Sequence, residues 1–189
     1  MPNIWFTSDT HYGHAKVIQY SNRPFKSVEE MEDIMVKDFN RFVGPKDVTY
    51  HLGDFAFLNT GGVQRVRSRL NGTIHLIKGN HDYKWSKTAF QAFDSVENLR
   101  ELKIDGTSVV LCHFPIENWH KKHYGSYHLH GHSHGFTPFQ VGQHRMDVGV
   151  DCQDYKPISW DVVKQVFEEK IDFKYKLRIR AEERYDRNV

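Results

Sequence analysis

Tyr127-His128-Leu129-His130-Gly131-His132-Ser133-His134-Gly135 places four histidines on alternate positions. Alternation is the period of a β-strand, whose side chains at i, i+2 and i+4 leave one face. An unbroken strand would crowd all four imidazoles together, where they repel when protonated and otherwise gain little. Gly131 and Gly135 bracket His132-Ser133-His134, so the strand is expected to end near Gly131 and to hold the last two imidazoles at its mouth. Neutral imidazole coordinates divalent ions, and a metal accounts for the pattern better than a histidine-rich surface strand does. The deciding question is whether matching ligands stand at other strand ends.

Four other apolar, β-favouring runs lead into such groups. Ile4 to Ser8 runs into Asp9-Thr10-His11-Tyr12-Gly13-His14, Val48 to Leu52 delivers Gly53-Asp54, Thr73 to Ile77 precedes Lys78-Gly79-Asn80-His81-Asp82, and Ser108 to Cys112 ends in His113. Helical patterns lie between them. Ser27 and Glu30 form a capping box before Val28, Met31, Met35, Phe39 and Phe42, and Gly44-Pro45 supplies the stop. Gly62 to Leu70 reads as a short amphipathic helix with Arg65, Arg67 and Arg69 on a solvated face, and Ala89 to Phe93 as another short helix. Asp105-Gly106 is a hairpin signal between runs at Leu99 to Ile104 and Ser108 to Cys112. His144 to Val150 is a further strand, Ser159 caps a last helix, and the tail from Lys174 is an exposed strand or helix. The segment around Arg23-Pro24-Phe25 shows no period, and the aromatic, basic loop from Phe114 to Tyr124 suits a substrate rim and a packed surface loop equally.

A chain of 189 residues suits one domain spanning 1–189. Lys and Arg number 26 against 24 Asp and Glu, a net charge of +2, so no strong field announces nucleic acid or a membrane surface. The anomaly is 13 histidines. Cys112 and Cys152 are too few for a disulfide framework and form no C-x-x-C pair. The start Met1-Pro2-Asn3-Ile4-Trp5-Phe6 lacks a signal-peptide pattern and no run is long enough to span a membrane, so a cytoplasmic protein is expected.

Strands alternating with helices predict an α/β layered fold with its ligand site at strand C-terminal ends. Asp9, His11, Asp54, Asn80, His113, His132 and His134 all fall there. Seven nitrogen and oxygen donors are too many for one tetrahedral ion and suit two ions sharing a carboxylate; the lack of a thiol disfavours structural zinc. The mixed donor set points to manganese, with iron, zinc or nickel as substitutes.

In order, Asp9-Thr10-His11, Gly53-Asp54, Gly79-Asn80-His81-Asp82, His113 and Gly131-His132-Ser133-His134 resemble the blocks of the calcineurin-like metallophosphoesterase superfamily. The chain looks most like its compact bacterial and phage-encoded members, which also tend to show His11-Tyr12-Gly13-His14 and Arg23-Pro24-Phe25. The resemblance implies two facing mixed β-sheets flanked by helices. It assigns one ion to Asp9, His11, Asp54 and His134 and the other to Asp54, Asn80, His113 and His132, with Asp54 bridging. It further implies phosphate-ester hydrolysis by hydroxide generated between the ions, with His81 protonating the leaving oxygen. Asn80, His14 and Arg23 would contact the substrate phosphate. Phe57 stands where many members carry a second acid, which removes a carboxylate from beside His81 and leaves Asp82 as the substitute. Phe55-Ala56-Phe57 and Lys78-Gly79-Asn80 lack the arginines of the protein Ser/Thr phosphatases, which points away from that branch. A core that fills the chain and a near-neutral charge favour small phosphodiesters or nucleotides. The rivals are a nuclease acting on single-stranded nucleic acid and, from another class, a non-catalytic metal- or phosphate-binding module. Nothing in the sequence sets an oligomeric state.

Overall fold

The computed structural model describes residues 2–137 and 143–168; the element expected from Lys174 onward lies outside them. The β-favouring runs form two mixed sheets. In the first, β1 (Ile4–Thr7), β2 (Val48–His51), β3 (Thr73–Ile77) and β4 (Ser95–Glu97) run parallel, and β9 (Ile158–Ser159) pairs antiparallel with β1. The second is β5 (Leu99–Ile104), β6 (Thr107–Cys112), β7 (Tyr127–His130) and β8 (Arg145–Asp147); β5 and β6 make the hairpin over Asp105-Gly106, and the remaining pairs are parallel.

Alternation along the strands sorts their side chains into two cores. Phe6, Tyr50, Leu52 and Ile77 of the first sheet face Val109, Leu111, Leu129 and Met146 of the second. The opposite face of the first sheet, with Ile74 and Leu76, packs on α2 (Val28–Phe42), α3 (Thr60–Ser68) and α4 (Lys87–Phe90). Helix α2 starts at Ser27, whose hydroxyl accepts the Glu30 N–H at 3.1 Å, while the Glu30 carboxylate takes the Lys26 N–H at 2.5 Å. Its Met31, Met35, Val36 and Phe39 are buried, each contributing about 1.5–3 kcal/mol of transfer free energy. Helix α3 begins earlier than expected because Asn59 caps it, accepting the Gly62 N–H at 2.9 Å. A six-residue helix with no sequence signal, α1 (Ala15–Tyr20), follows the first of the loops that carry the expected ligands. The last helix, α5 (Trp160–Glu168), is capped by Ser159 and lays Trp160, Val163, Val166 and Phe167 against the inter-sheet core.

On the outer side of the second sheet, His128 and His130 are buried. Trp119 packs on the His128 ring at 5.3 Å, and the Ile116 N–H bonds its Nε2 at 3.0 Å. Through Trp119 and Ile116 the loop from Phe114 to Tyr124 covers His128, while Phe114 reaches toward His113 and His132 and much of the rest is exposed. Among the described residues no helix is long and apolar enough to cross a membrane.

Candidate metal centre

Because β1, β2 and β3 are parallel, the loops after them emerge at one edge, and β6 and β7 bring His113 and the His132 to His134 turn to the same place. Backbone bonds lock the loops together: Asp9 N–H to Gly53 O and His11 N–H to Asp54 O, both at 3.0 Å, and Gly131 N–H to His113 O at 2.9 Å. The approach is too close for side chains. A Cβ on Gly79 would run into Asp54 Oδ1, and one on Gly131 into Asp9 Oδ2 and Ser8 Oγ. Asp9, His11, Asp54, His132 and His134 adopt positive φ, between 46° and 67°. Left-handed backbone costs about 1–2 kcal/mol at a residue other than glycine, and such strain gathers where function requires a fixed geometry.

Asp54 Oδ2 is the focus, lying 3.6 Å from His11 Nε2, 3.6 Å from His113 Nε2 and 3.8 Å from His81 Nε2. Asn80 Oδ1 is 3.0 Å from both His113 Nε2 and His132 Nδ1. Asp9 Oδ1 is 3.9 Å from His134 Nε2, and its Oδ2 accepts the His132 N–H at 2.9 Å. The donor atoms of Asp9, His11 and His134 lie within 4.8 Å of one another, as do those of Asp9, Asp54 and His113. All seven residues expected as ligands thus converge, with Asp9 close to both groups rather than to one.

Hydrogen bonding sets the tautomers. His113 Nδ1–H donates to Leu52 O at 2.7 Å and His134 Nδ1–H to Asp151 Oδ2 at 2.6 Å, so each Nε2 lone pair faces inward. His11 Nε2 is buried without any hydrogen-bond partner. Burial, with help from the Arg23 charge, holds His11 far below the usual imidazole range, and burial also lowers His113, so both stay neutral. For His134 burial is outweighed by the bond to Asp151 and the charge of Asp9, and its pKa rises. Burial raises Asp9, with Asp147 and Asp54 adding to it. With its Nδ1–H on Leu52 O, His113 turns an Nε2 lone pair toward Asn80 Oδ1 at 3.0 Å. Imidazole nitrogens, buried carboxylates and an amide oxygen in that arrangement fit divalent metal ions.

Arg23, expected at the substrate, is elsewhere: its side chain is 0 % exposed. Its Nε and Nη2 bond the two Asp151 oxygens at 2.8 Å each, Nη2 also bonds Asp9 O at 2.7 Å, and Nη1 bonds Thr10 O at 3.0 Å. It is a brace behind Asp9 and, through Asp151, behind His134. Asp82 is likewise no orienting acid for His81. Its carboxylate accepts the N–H groups of Gly79, Asp54 and Phe55 at 2.8–3.1 Å, tying two ligand loops together, and burial pushes its pKa up to about 7 against those bonds. Asp147, which no motif marked, shapes the last turn by accepting Ser133 Oγ–H at 2.7 Å and Gly135 N–H at 3.0 Å. His14 does sit at the rim, half-buried, with Nδ1 3.5 Å from His11 Nδ1. Arg65 and Arg69 are not free for phosphate: both pair with Glu32, and Arg69 also with Asp33. No local sequence signal marked Asp151; it is the carboxylate partner that the buried Arg23 charge needs.

Residues 3–148 match the calcineurin-like phosphoesterase superfamily domain. The uncharacterized protein MJ1445 of Methanocaldococcus jannaschii is 32% identical over 176 residues, covering 89% of this chain and 93% of its own. The Gene 66 protein of Mycobacterium phage L5 is 26% identical over 206 residues, 90% of this chain and 98% of its own. Among solved structures, the protein of unknown function AQ665 from Aquifex aeolicus shares the fold, with a TM-score of 0.69, 23% identity and coverage of 88% of this chain and 100% of that one.

Proposed function

We propose that this chain, which belongs to the calcineurin-like phosphoesterase superfamily, is a metal-dependent hydrolase of small phosphodiesters or nucleotides that works with two divalent ions, manganese foremost. The observation that carries the reading is the set of unshared lone pairs around Asp54 Oδ2, with His11 and His113 each 3.6 Å away on Nε2. Asp9, His11 and His134 would hold one ion, Asn80, His113 and His132 the other, and Asp54 would be shared. Bound there, the ions supply Lewis acidity for phosphoryl oxygens and a more acidic attacking water.

The chain's own groups do the rest. Left-handed backbone and the Asp82 and Arg23 braces hold the ligands in place before substrate arrives. His81 is fixed through its backbone N–H on Asp54 Oδ1 at 2.9 Å, while its side chain stays 32% exposed with Nε2 toward the centre. That imidazole can hand a proton to a departing oxygen, a role worth about 10²–10⁴-fold. Besides Asp54 it has the ring of Phe57 beside it, centroids 5.7 Å apart. Free Cys112 and Cys152 suit a reducing, cytoplasmic setting.

Metal analysis of manganese-loaded protein should find two ions with turnover of phosphodiesters, and Asp54→Asn should lose turnover together with metal. Active protein carrying one ion or none overturns the two-ion reading. Salt-sensitive binding of DNA or RNA with poor hydrolysis of small esters overturns the substrate assignment.

A further inference from the structure

Two phenylalanines stand partly open at opposite ends of the row of site imidazoles. Phe57 is 48% exposed and Phe114 40%. Phe57 lies nearly parallel on His14, centroids 4.7 Å apart, and meets His81 edge-on at 5.7 Å. Phe114 meets His132 at 4.8 Å and His113 at 5.0 Å. Between these ends the contacts run from His81 to His11 at 5.4 Å, from His11 and His113 to Asp54 Oδ2 at 3.6 Å each, and from His113 to His132 at 5.1 Å. Tyr20, 70% exposed, extends the Phe57 end with its ring 6.4 Å from His14. Single exposed aromatics are ordinary on a protein surface. Here both rings rest on imidazoles of one centre and keep surface open to solvent.

We propose that Phe57 and Phe114 are platforms for two ring-bearing ester groups of a linear phosphodiester, the leaving group on Phe57 and the retained group on Phe114. The assignment rests on the phosphoesterase reading. A phosphate centred at Asp54 directs its two ester groups toward the ends of the row, and His81, the proton donor in that reading, lies against Phe57, so the leaving oxygen departs on that side. An aromatic face accepts any nucleobase by stacking and needs no matching charge, which agrees with the pairing of Arg65 and Arg69 to acids. A cyclic nucleotide, with one base, engages one platform; a dinucleotide engages both.

Two substrate pairs separate the platforms in manganese-loaded enzyme. For Phe57, a dinucleoside monophosphate is compared with the methyl ester of the same nucleotide, since both leaving groups are alkoxides of similar basicity. The ratio of kcat/KM should favour the dinucleotide by about tenfold, the low end of base–aromatic stacking. Phe57→Leu should bring that ratio near one and Phe57→Trp should keep it. For Phe114, bis(4-nitrophenyl) phosphate is compared with methyl 4-nitrophenyl phosphate, which share a leaving group. The wild-type ratio should fall several-fold in Phe114→Leu and persist in Phe57→Leu. Ratios unchanged by the leucine substitutions, with all four esters hydrolysed, overturn the platforms and leave the phosphoesterase standing. Failure on all four defeats the phosphodiester reading, and the platforms with it.

Discussion

Arg23→Ala should remove a large part of the stability margin of this protein and loosen Asp9 and His134, without removing a contact to substrate. The side chain is fully buried and makes two bonds to Asp151 at 2.8 Å, one to Asp9 O at 2.7 Å and one to Thr10 O at 3.0 Å. Removing one partner of a buried ion pair costs about 3–5 kcal/mol because the other charge is stranded. Two carbonyls without donors add about 1 kcal/mol each at the low end. Water entering the vacated volume recovers part of this, so about 5 kcal/mol is expected, against a total of about 5–15 kcal/mol for a typical domain. At about 2–4 °C per kcal/mol for a chain of this size, Tm should fall by about 10–20 °C. Arg23→Lys keeps the charge but not the fork, and should fall between wild type and the alanine variant. The assay is thermal and urea denaturation of chelator-treated protein, so that bound ions contribute nothing, alongside KM for a phosphodiester. A Tm loss under about 4 °C accompanied by a clear rise in KM would return Arg23 to the substrate and refute the brace.

His81→Ala should lose far more kcat on nucleotide or alkyl esters than on nitrophenyl esters, with metal content unchanged, because only a basic alkoxide needs the proton; equal losses would assign His81 to positioning, with His14 the next donor to test. Burial pushes His128 down to about 4 and His51 down to about 3, so below the unfolded value of about 6.5 the unfolded chain binds more protons and stability falls as pH drops, by up to about 1.4 kcal/mol per pH unit per histidine, until the folded pKa is reached. Asp82, raised by burial to about 7, acts in the opposite sense from about pH 4 to 7, so the check is a difference: urea midpoints of His128→Gln should show a shallower acid slope than wild type between pH 6.5 and 4, and parallel slopes would contradict a neutral buried His128.

The loops proposed to hold the ions were legible because ion binding would dictate residue type at a fixed distance from each strand end. Asp9 and His11, Asp54, Asn80, His113, and His132 with His134 could each be read from a few neighbouring residues, and parallel pairing then gathers them without further information. What escaped reading depends on partners far away in the chain. Arg23 and Asp151 are separated by 128 positions, and no local pattern tells a buried brace from a phosphate contact. Asp82 looked like a neighbour for His81 because it follows it in sequence, yet its bonds run to Gly79, Asp54 and Phe55. The two-residue β9 and three-residue β4 have no independent signal, since their pairing with β1 and β3 is what makes them strands. The positive φ values of five proposed ligands were equally hidden, because Asp and His, though enriched in that backbone, adopt it at only a small minority of their positions. Local preference and native conformation agree along the helices and strands and disagree at Asp9, His11, Asp54, His132 and His134. Consistency elsewhere in the fold supplies the free energy that holds these residues against their own tendency. Positive φ alone does not single out the site, since Asn22, Asp105, Lys121, His144, Asp154 and Tyr155 share it; it singles out Asp9, His11, Asp54, His132 and His134 only together with the histidine and aspartate spacing, where the chemistry of the side chain and the backbone that aims it coincide.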